Sequence, residues 1–300
     1  MQHAVIGAGG IGGLVAAVLA TRGEQVSVVL RATSRAAYPG RLRLTSPSLG
    51  DLDVAVAAVA RVTEPVDVLW VTVKAGGMTD VRDWVADPAS VGLVVPLLNG
   101  VDHLAELRAV FPRVAGATIS VEAERAAPGE IVQRTAFCRF GIAPPPGEQS
   151  GDGHPSVASI AGLLGEGGVT TAVWEDEATL MWSKLCFLGP VALATTAHDA
   201  PLGDIREHPD FRRCREEALA AARAAGAHVD EDAVRAAGDT GPGAMRSSMQ
   251  KDVAAGRPPE LDAIAGPILR LGATTEAGTR HTEALVAAIR QRLASASVGS

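Results

Sequence analysis

Lysine is almost missing from this sequence of 300 residues. Of the 27 lysines and arginines together, Lys74, Lys184 and Lys251 are the only lysines, leaving 24 arginines. Arginine therefore carries the ordinary surface charge. Each lysine becomes a candidate for a task arginine cannot perform, releasing a proton near neutral pH, although chance explains any one of them taken alone. Cysteine is scarce as well. Cys138, Cys186 and Cys214 lie far apart, match no zinc spacing and are odd in number, so a reducing, cytoplasmic setting is expected. Positive charge is in deficit, with a net charge of -7, which argues against a nucleic-acid partner. Apolar stretches are broken by Gly, Pro or charge before the ~18–20 residues of a membrane span. No basic region precedes an apolar run, so neither a membrane partner nor a secretory signal is expected. His103, His154, His198, His208, His228 and His281 show no i+4 pairing and no cluster with Cys or a carboxylate, so no metal is expected. No nucleophile elbow is present to support Ser-His-Asp hydrolysis.

What is present is apolar mass. Hydrophobic residues make up 47%, enough for a core in one large or two modest domains. The chain starts as strand, turn, helix, strand: His3–Ile6, a glycine-rich turn, Leu14–Thr21 ending at Arg22-Gly23, then Val26–Leu30. Val66–Val73 and Val91–Leu98 read as buried strands, with a short helix over Thr79–Ala86 between them. Ala115–Ala143 reads as β-rich with a turn at Pro128-Gly129, and Pro144–Gly153 as a loop. Ser156–Leu164 reads as helix and Val169–Trp174 as a last strand. Beyond that the pattern turns helical: Glu175–Thr196, Phe211–Ala225, Ala244–Ala255, Pro259–Leu271 and Thr282–Ala294. Strands alternating with helices point to a parallel sheet. The expectation is an α/β fold, an N-terminal Rossmann-type doubly wound sheet over 1–174 followed by an all-helical domain over 175–300.

The turn Gly7-Ala8-Gly9-Gly10-Ile11-Gly12 matches G-x-G-x-x-G after a strand and at the opening of a helix, the context that gives the motif its meaning. Gly7 permits the tight turn, Gly9 lets a pyrophosphate approach the backbone, and Gly12 lets the helix pack on the strand. The helix N-terminus faces the phosphates. After the second strand, Leu30-Arg31-Ala32-Thr33-Ser34-Arg35 holds two guanidinium groups and no carboxylate. A carboxylate would hold the ribose hydroxyl of NAD, whereas Arg31 pairs with the 2′-phosphate of NADP. NADPH/NADP is the expected cofactor.

Further blocks follow in order: Val71-Thr72-Val73-Lys74-Ala75, Leu98-Asn99-Gly100-Val101, Met181-Trp182-Ser183-Lys184-Leu185, and Ser247-Ser248-Met249-Gln250-Lys251-Asp252 through Gly256-Arg257-Pro258-Pro259-Glu260-Leu261-Asp262. Together with the glycine turn and Arg31 they resemble the ketopantoate reductase (2-dehydropantoate 2-reductase) family over nearly the whole chain. The resemblance implies a general-acid role for Lys184, a hold on the substrate's oxygen for Glu260 and on its carboxylate for Ser248. It implies contacts with cofactor and substrate for Asn99, and with cofactor for Lys74. It also implies a place in pantothenate biosynthesis. The sequence departs from the family where two substrate-binding asparagines usually follow the lysine. Here Leu188 and Ala192 stand instead, which implies substrate-binding positions that favour a more apolar body.

The residues have their own logic. Lys184 lies among Met181, Trp182, Leu185, Cys186, Phe187 and Leu188; partial desolvation lowers an amine's pKa and fits it to donate a proton. The alternative is a stem packed on apolar surface with its head in water. Glu260 follows Arg257-Pro258-Pro259 and is expected in a first helical turn, a position that by itself explains a glutamate. Ser248 and Asp252 share a helical face, and either Ser247 or Ser248 is a plausible cap; Asp252 reads as structural, paired with an arginine. Asn99 and Lys74 each end a buried strand, although Asn99-Gly100 is equally a turn signal. The reading is an NADPH-dependent reductase of a 2-oxo acid, ketopantoate or a more apolar analogue. Two alternatives stay open: reduction of an imine or secondary-metabolite ketone, and a catalytically silent NADP-binding regulator. The partner expected is a small molecule; a homodimer stays open, since the sequence does not disclose oligomeric state.

Overall fold

The computed structural model describes residues 1–147 and 155–298. These fall into two compact units: Met1–Leu98 with His103–Leu180, and Asn99–Asp102 with the chain from Met181 onward. In chain order the first unit runs β1 (Gln2–Ile6), α1 (Gly10–Thr21), β2 (Gln25–Val29), α2 (Ala32–Ala36), β3 (Arg41–Thr45), β4 (Leu52–Ala55), β5 (Ala57–Val59), β6 (Val66–Val71) and β7 (Val91–Pro96). It continues through α3 (His103–Arg108), β8 (Gly116–Ser120), β9 (Ala123–Ala127), β10 (Glu130–Gln133), β11 (Arg139–Ala143), α4 (Val157–Glu166) and β12 (Thr170–Val173).

Its central sheet has the order β5-β2-β1-β6-β7, and every pair is parallel. β1, β6 and β7 read as near-continuous apolar runs because both faces are covered; all six residues of β7 are buried although it ends the strand order. Ile6 lies opposite Val29 on one side and Val71 on the other, and Val71 opposite Pro96. The carboxyl ends of β1, β2, β6 and β7 are thus level, and the segments starting at Gly7, Leu30 and Thr72 leave one sheet edge. That edge is where open α/β sheets bind ligands. Two smaller sheets, β4-β3-β10-β9 and β12-β11-β8, complete the unit around Leu14, Trp70, Leu93, Phe140 and Ile142.

Several expectations shift by a few residues for identifiable reasons. The strand expected over Val66–Val73 stops at Val71, where the Thr72 hydroxyl turns back and shares its one proton between Gly7 O at 2.6 Å and Ile6 O at 2.9 Å. The helix expected over Thr79–Ala86 is instead a pair of 3-10 turns, Ala75–Asp80 and Arg82–Trp84. Gly76 and Gly77, in the first of these turns and just before the expected span, make an α-helical nucleus costly there. Most of the expected loop over Pro144–Gly153 lies outside the described residues, as does His154.

The second unit contains no strand among its described residues. Its helices are α5 (Glu177–His198, whose first turn belongs to the first unit), α6 (Leu202–Ile205), α7 (Pro209–Ala224), α8 (Glu231–Thr240), α9 (Ser248–Ala254), α10 (Leu261–Gly272) and α11 (Arg280–Val298). No expectation covered α8, yet its start was readable. Asp230 accepts the Ala233 N–H at 2.9 Å, and Glu231 and Asp232 fill the first turn, the acidic N-terminal signature of a helix.

The expectation that Gly, Pro and charge interrupt every long apolar run needs correction at α5. This helix is continuous through Lys184, Gly189 and Pro190, and it is long and apolar enough by composition to cross a membrane. Two thirds of that window (67%) is buried inside the protein, which marks it as a core helix. Gly189 matters there: a Cβ would lie 2.9 Å from Ile268 Cδ1 of α10, so the absent side chain lets the two helices meet.

Candidate active site

The glycine turn is shaped by what its neighbours forbid. Gly7 has φ +95°, and a Cβ at Gly12 would fall 2.2 Å from Gly7 O and 2.3 Å from Thr72 Oγ1. Gly10 approaches Ala123 O so closely that a Cβ there would lie 2.0 Å away. Gly9 differs. A Cβ on it would meet nothing within 4 Å, so protein packing does not explain this glycine, whereas a ligand passing over the backbone does. Gly9 caps α1 without a side-chain hydrogen bond, and no acidic residue stands in the first turn. The positive end of the helix is open to an anion. Beside the turn, Ala8, Leu30, Thr33, Ser34, Tyr38 and Arg125 line a cavity of about 230 Å³. The residues present fit a dinucleotide: a backbone cradle for a pyrophosphate and guanidinium groups for a further phosphate.

Arg31 needs a correction. The segment after β2 holds no carboxylate, but the fold brings one from the 3-10 turn that follows β6. Arg31 Nη2 donates to Asp80 Oδ2 at 2.8 Å, and its guanidinium lies 5.6 Å from the centre of the Trp84 ring. Both partners are substantially exposed, 63% and 44%, so the pair is weak and exchangeable. Lys74, exposed, precedes the first 3-10 turn. Arg125, from β9, is a cavity residue that sequence reasoning missed; it lies 94 positions after Arg31, beyond the reach of any local motif.

The second unit assembles a different kind of site. The Lys184 ammonium donates to Asn99 Oδ1 at 3.2 Å, and Asn99 Nδ2 donates to Glu260 Oε2 at 3.1 Å. An ammonium only donates and a carboxylate only accepts, so the amide between them has one consistent orientation. Gly100 makes the approach possible. It has φ +82°, and a Cβ on it would lie 2.1 Å from Ala263 O of α10. The Asn99–Gly100 turn is therefore pressed against the start of the helix whose N-cap is Glu260. Burial pushes the Lys184 amine down from 10.5 to about 8, against an upward pull from the Glu260 carboxylate. The side chain remains only partly covered at its surface, and its apolar surroundings lower the amine in the way the sequence suggested.

Some details depart from expectation. Glu260 lies just before α10 rather than in its first turn, and neither Pro258 nor Pro259 is helical. The Glu260 side chain makes no cap bond, which leaves it for Asn99. Of the two serines, Ser247 is the buried one. It caps α9 by accepting the Gln250 N–H at 3.1 Å and meets Thr195 Oγ1 at 2.8 Å. Ser248 follows it, exposed. Asp252 pairs with Arg257 at 2.7 Å, the structural role expected of it. Leu188 lies one turn beyond Lys184 on the same helical face, half-buried, and Ala192 is buried a turn further on. The histidines judged dispersed by spacing are not all dispersed in space: His198 and His208 converge with Asp210. A short helix and its turns fold the ten-residue separation back on itself.

A family model described as ketopantoate reductase PanE/ApbA matches residues 3–144, and its C-terminal counterpart matches residues 177–293. A 2-dehydropantoate 2-reductase of Caulobacter vibrioides is 33% identical over 95% of this chain and 96% of its own. One of Mycobacterium tuberculosis is 30% identical over 94% and 95%. The crystal structure of 2-dehydropantoate 2-reductase from Methylococcus capsulatus matches with a TM-score of 0.83. It covers 97% of this chain and 96% of that one at 29% identity.

Proposed function

The chain belongs to the ketopantoate reductase family of NADP-dependent oxidoreductases, and we propose that it reduces the keto group of a 2-oxo acid, with Lys184 as the proton donor. The observation that carries this reading is the chain of contacts Lys184–Asn99–Glu260, with an amine whose pKa has come down to about 8. Bound NADPH would supply the hydride. The turn Gly7–Gly12, Arg31, Lys74 and Arg125 are the residues proposed to hold it, with 1–174 as the nucleotide-binding part and 175–300, joined by Asn99, as the catalytic one.

At neutral pH an amine of pKa about 8 is mostly protonated, yet its proton is far easier to give up than that of an ordinary lysine. As negative charge develops on the carbonyl oxygen, the Lys184 ammonium neutralises it by donation. Asn99 fixes the ammonium by accepting one of its hydrogen bonds. Glu260 holds Asn99 in turn and keeps enough positive character on the amine for it to remain an acid. Ser248 is proposed to hold the substrate's carboxylate. Leu188 and Ala192 give the same helix face an apolar character suited to a substrate body bulkier or less polar than ketopantoate.

NADPH oxidation measured with ketopantoate beside a panel of apolar 2-oxo acids and imines tests the substrate assignment. Higher kcat/KM for an apolar 2-oxo acid supports it; robust preference for ketopantoate removes the role given to Leu188 and Ala192, and turnover confined to imines removes the 2-oxo acid. Survival of full turnover in Lys184→Ala would remove the proton donor.

A further inference from the structure

At the far end of α5 from its first turn, the chain reverses through Asp199, the only non-glycine residue with positive φ (50°) among the described residues. It passes through α6 and re-enters a helix at His208, the N-cap of α7. This return places the rings of His198 and His208 4.2 Å apart, centre to centre, at an angle of 47°. Asp210, two residues into α7, faces them, and one ligand-type atom from each of the three lies within 4.8 Å of the others. Behind Asp210 stands His281 at the start of α11, its Nδ1 3.0 Å from Asp210 Oδ1. The His281 backbone N–H is itself anchored on Glu217 at 2.8 Å.

We propose that His198, His208 and Asp210 form a site for one divalent transition-metal cation of the zinc, nickel or cobalt class, with His281 orienting Asp210 from behind. Two imidazoles and one carboxylate are a donor set of borderline softness, suited to those ions rather than to magnesium or calcium, which favour oxygen. Three protein ligands leave a fourth tetrahedral position for water. Metal–nitrogen bonds of about 2.0–2.1 Å place tetrahedral ligands roughly 3.4 Å apart, so the ring nitrogens and the carboxylate close in by about 1 Å. His198 is exposed and the other two are half-covered, so side-chain rotation accommodates this, and a cation has direct access from water. A carboxylate held by a histidine supplies the kind of outer support that fixes a metal ligand in place.

A rearrangement at His208 is required. Its Nδ1, the ring nitrogen 3.7 Å from Asp210 Oδ2, now accepts the Asp210 N–H at 3.3 Å; when Nδ1 takes the metal instead, that N–H passes to water and the proton sits on Nε2. The bound ion ties the C-terminal end of α5, the helix that carries Lys184, to the start of α7. It closes the loop between His198 and His208, so its effect is on stability rather than on chemistry.

The test is calorimetric titration of Zn²⁺ into untagged, chelator-treated full-length protein, with a thermal melt at each end point and Co²⁺ absorption as a report of ligand geometry. One equivalent bound at micromolar affinity or better, a higher melting temperature with Zn²⁺, and a tetrahedral Co²⁺ spectrum are expected. The double variant His198→Ala/His208→Ala should lose at least tenfold in affinity and all of the thermal gain, with metal-free activity within twofold of wild type. The control His228→Ala should retain both. No binding to the wild type, or equal binding by the double variant, overturns the proposal. Stoichiometric binding without any thermal gain overturns the tie between α5 and α7. If the double variant fails to fold, Asp210→Asn gives the same reading, since it removes one donor and keeps the shape.

Discussion

In the first unit, the glycine turn works through side chains that are missing: Gly12 avoids Gly7 O and Thr72 Oγ1, Gly10 avoids Ala123 O, and Gly9 leaves open space over an uncapped helix. In the second unit, the proposed chemistry rests on three polar side chains, Lys184, Asn99 and Glu260, brought together by a pressed turn and two helices. The first site is backbone geometry and, Gly9 aside, leaves almost no room for an added atom. The second is electrostatic: its key property is an amine brought to about 8 by burial and held from falling further by a carboxylate. Damage to the first should appear in folding and cofactor binding, and damage to the second in turnover and its pH dependence.

The largest effect is expected at Lys184. Lys184→Met should reduce kcat by about 10²–10⁴-fold, the usual contribution of a general acid, with little change in KM for NADPH. The same substitution should stabilise the protein at pH 7. The folded-state pKa lies below the unfolded value of 10.5, so the charged amine costs stability below about pH 8. That cost fades as pH rises from about 8 to 10.5. A shift of this size corresponds to on the order of 3 kcal/mol at most, less for a partly covered group. A lower melting temperature for Lys184→Met at pH 7 would mean that the amine is not the strained element.

Two glycine substitutions separate packing from ligand. Gly12→Ala forces an atom against Gly7 O and should cost roughly 1–3 kcal/mol of stability, the range for overpacking, together with NADPH binding. Gly9→Ala should melt like the wild type while raising KM for NADPH about tenfold. Loss of stability in Gly9→Ala would show that the open space beside it belongs to the protein rather than to the cofactor.

A smaller effect tests the carboxylate. Glu260 raises the Lys184 pKa, so Glu260→Gln should move the alkaline limb of the kcat profile for reduction below pH 8. An unmoved or raised midpoint would detach Glu260 from the amine. The smallest effect is expected at Asp80, which pairs with Arg31 at 2.8 Å. Asp80→Asn should lower KM for NADPH a few-fold without changing kcat. An increase in KM would mean that Asp80 assists binding rather than competes for the arginine.

These two sites also differ in how far the sequence disclosed them. The glycine turn is contiguous and lies between a strand and a helix, and its glycines answer either to a local steric demand (Gly7, Gly10, Gly12) or to the approach of a ligand (Gly9), so it could be read directly. The parallel sheet followed from apolar runs of strand length alternating with helical ones. Asn99 and Glu260 lie 161 positions apart; only the resemblance put them in one site, and no spacing could show that the amide bridges ammonium and carboxylate. Asp80 and Arg125 escaped for the same reason, because Asp80 arrives on the 3-10 turn after β6 and Arg125 on β9. The choice between Ser247 and Ser248 depended on which hydroxyl the helix cap consumes, a matter of one residue in the start of α9. His198 and His208 were invisible as a pair because a short helix folds the intervening chain.

The scarcity of lysine makes a direct measurement possible. With Lys74, Lys184 and Lys251 as the only lysines, a ¹³Cε-labelled sample gives at most three side-chain methylene environments, and the one absent from Lys184→Arg is assigned at once. Titrated by NMR, the Lys184 signal should show a midpoint near pH 8 in the wild type and a lower one in Glu260→Gln. A midpoint at the ordinary 10.5 in the wild type would contradict a proton-donating amine at this position.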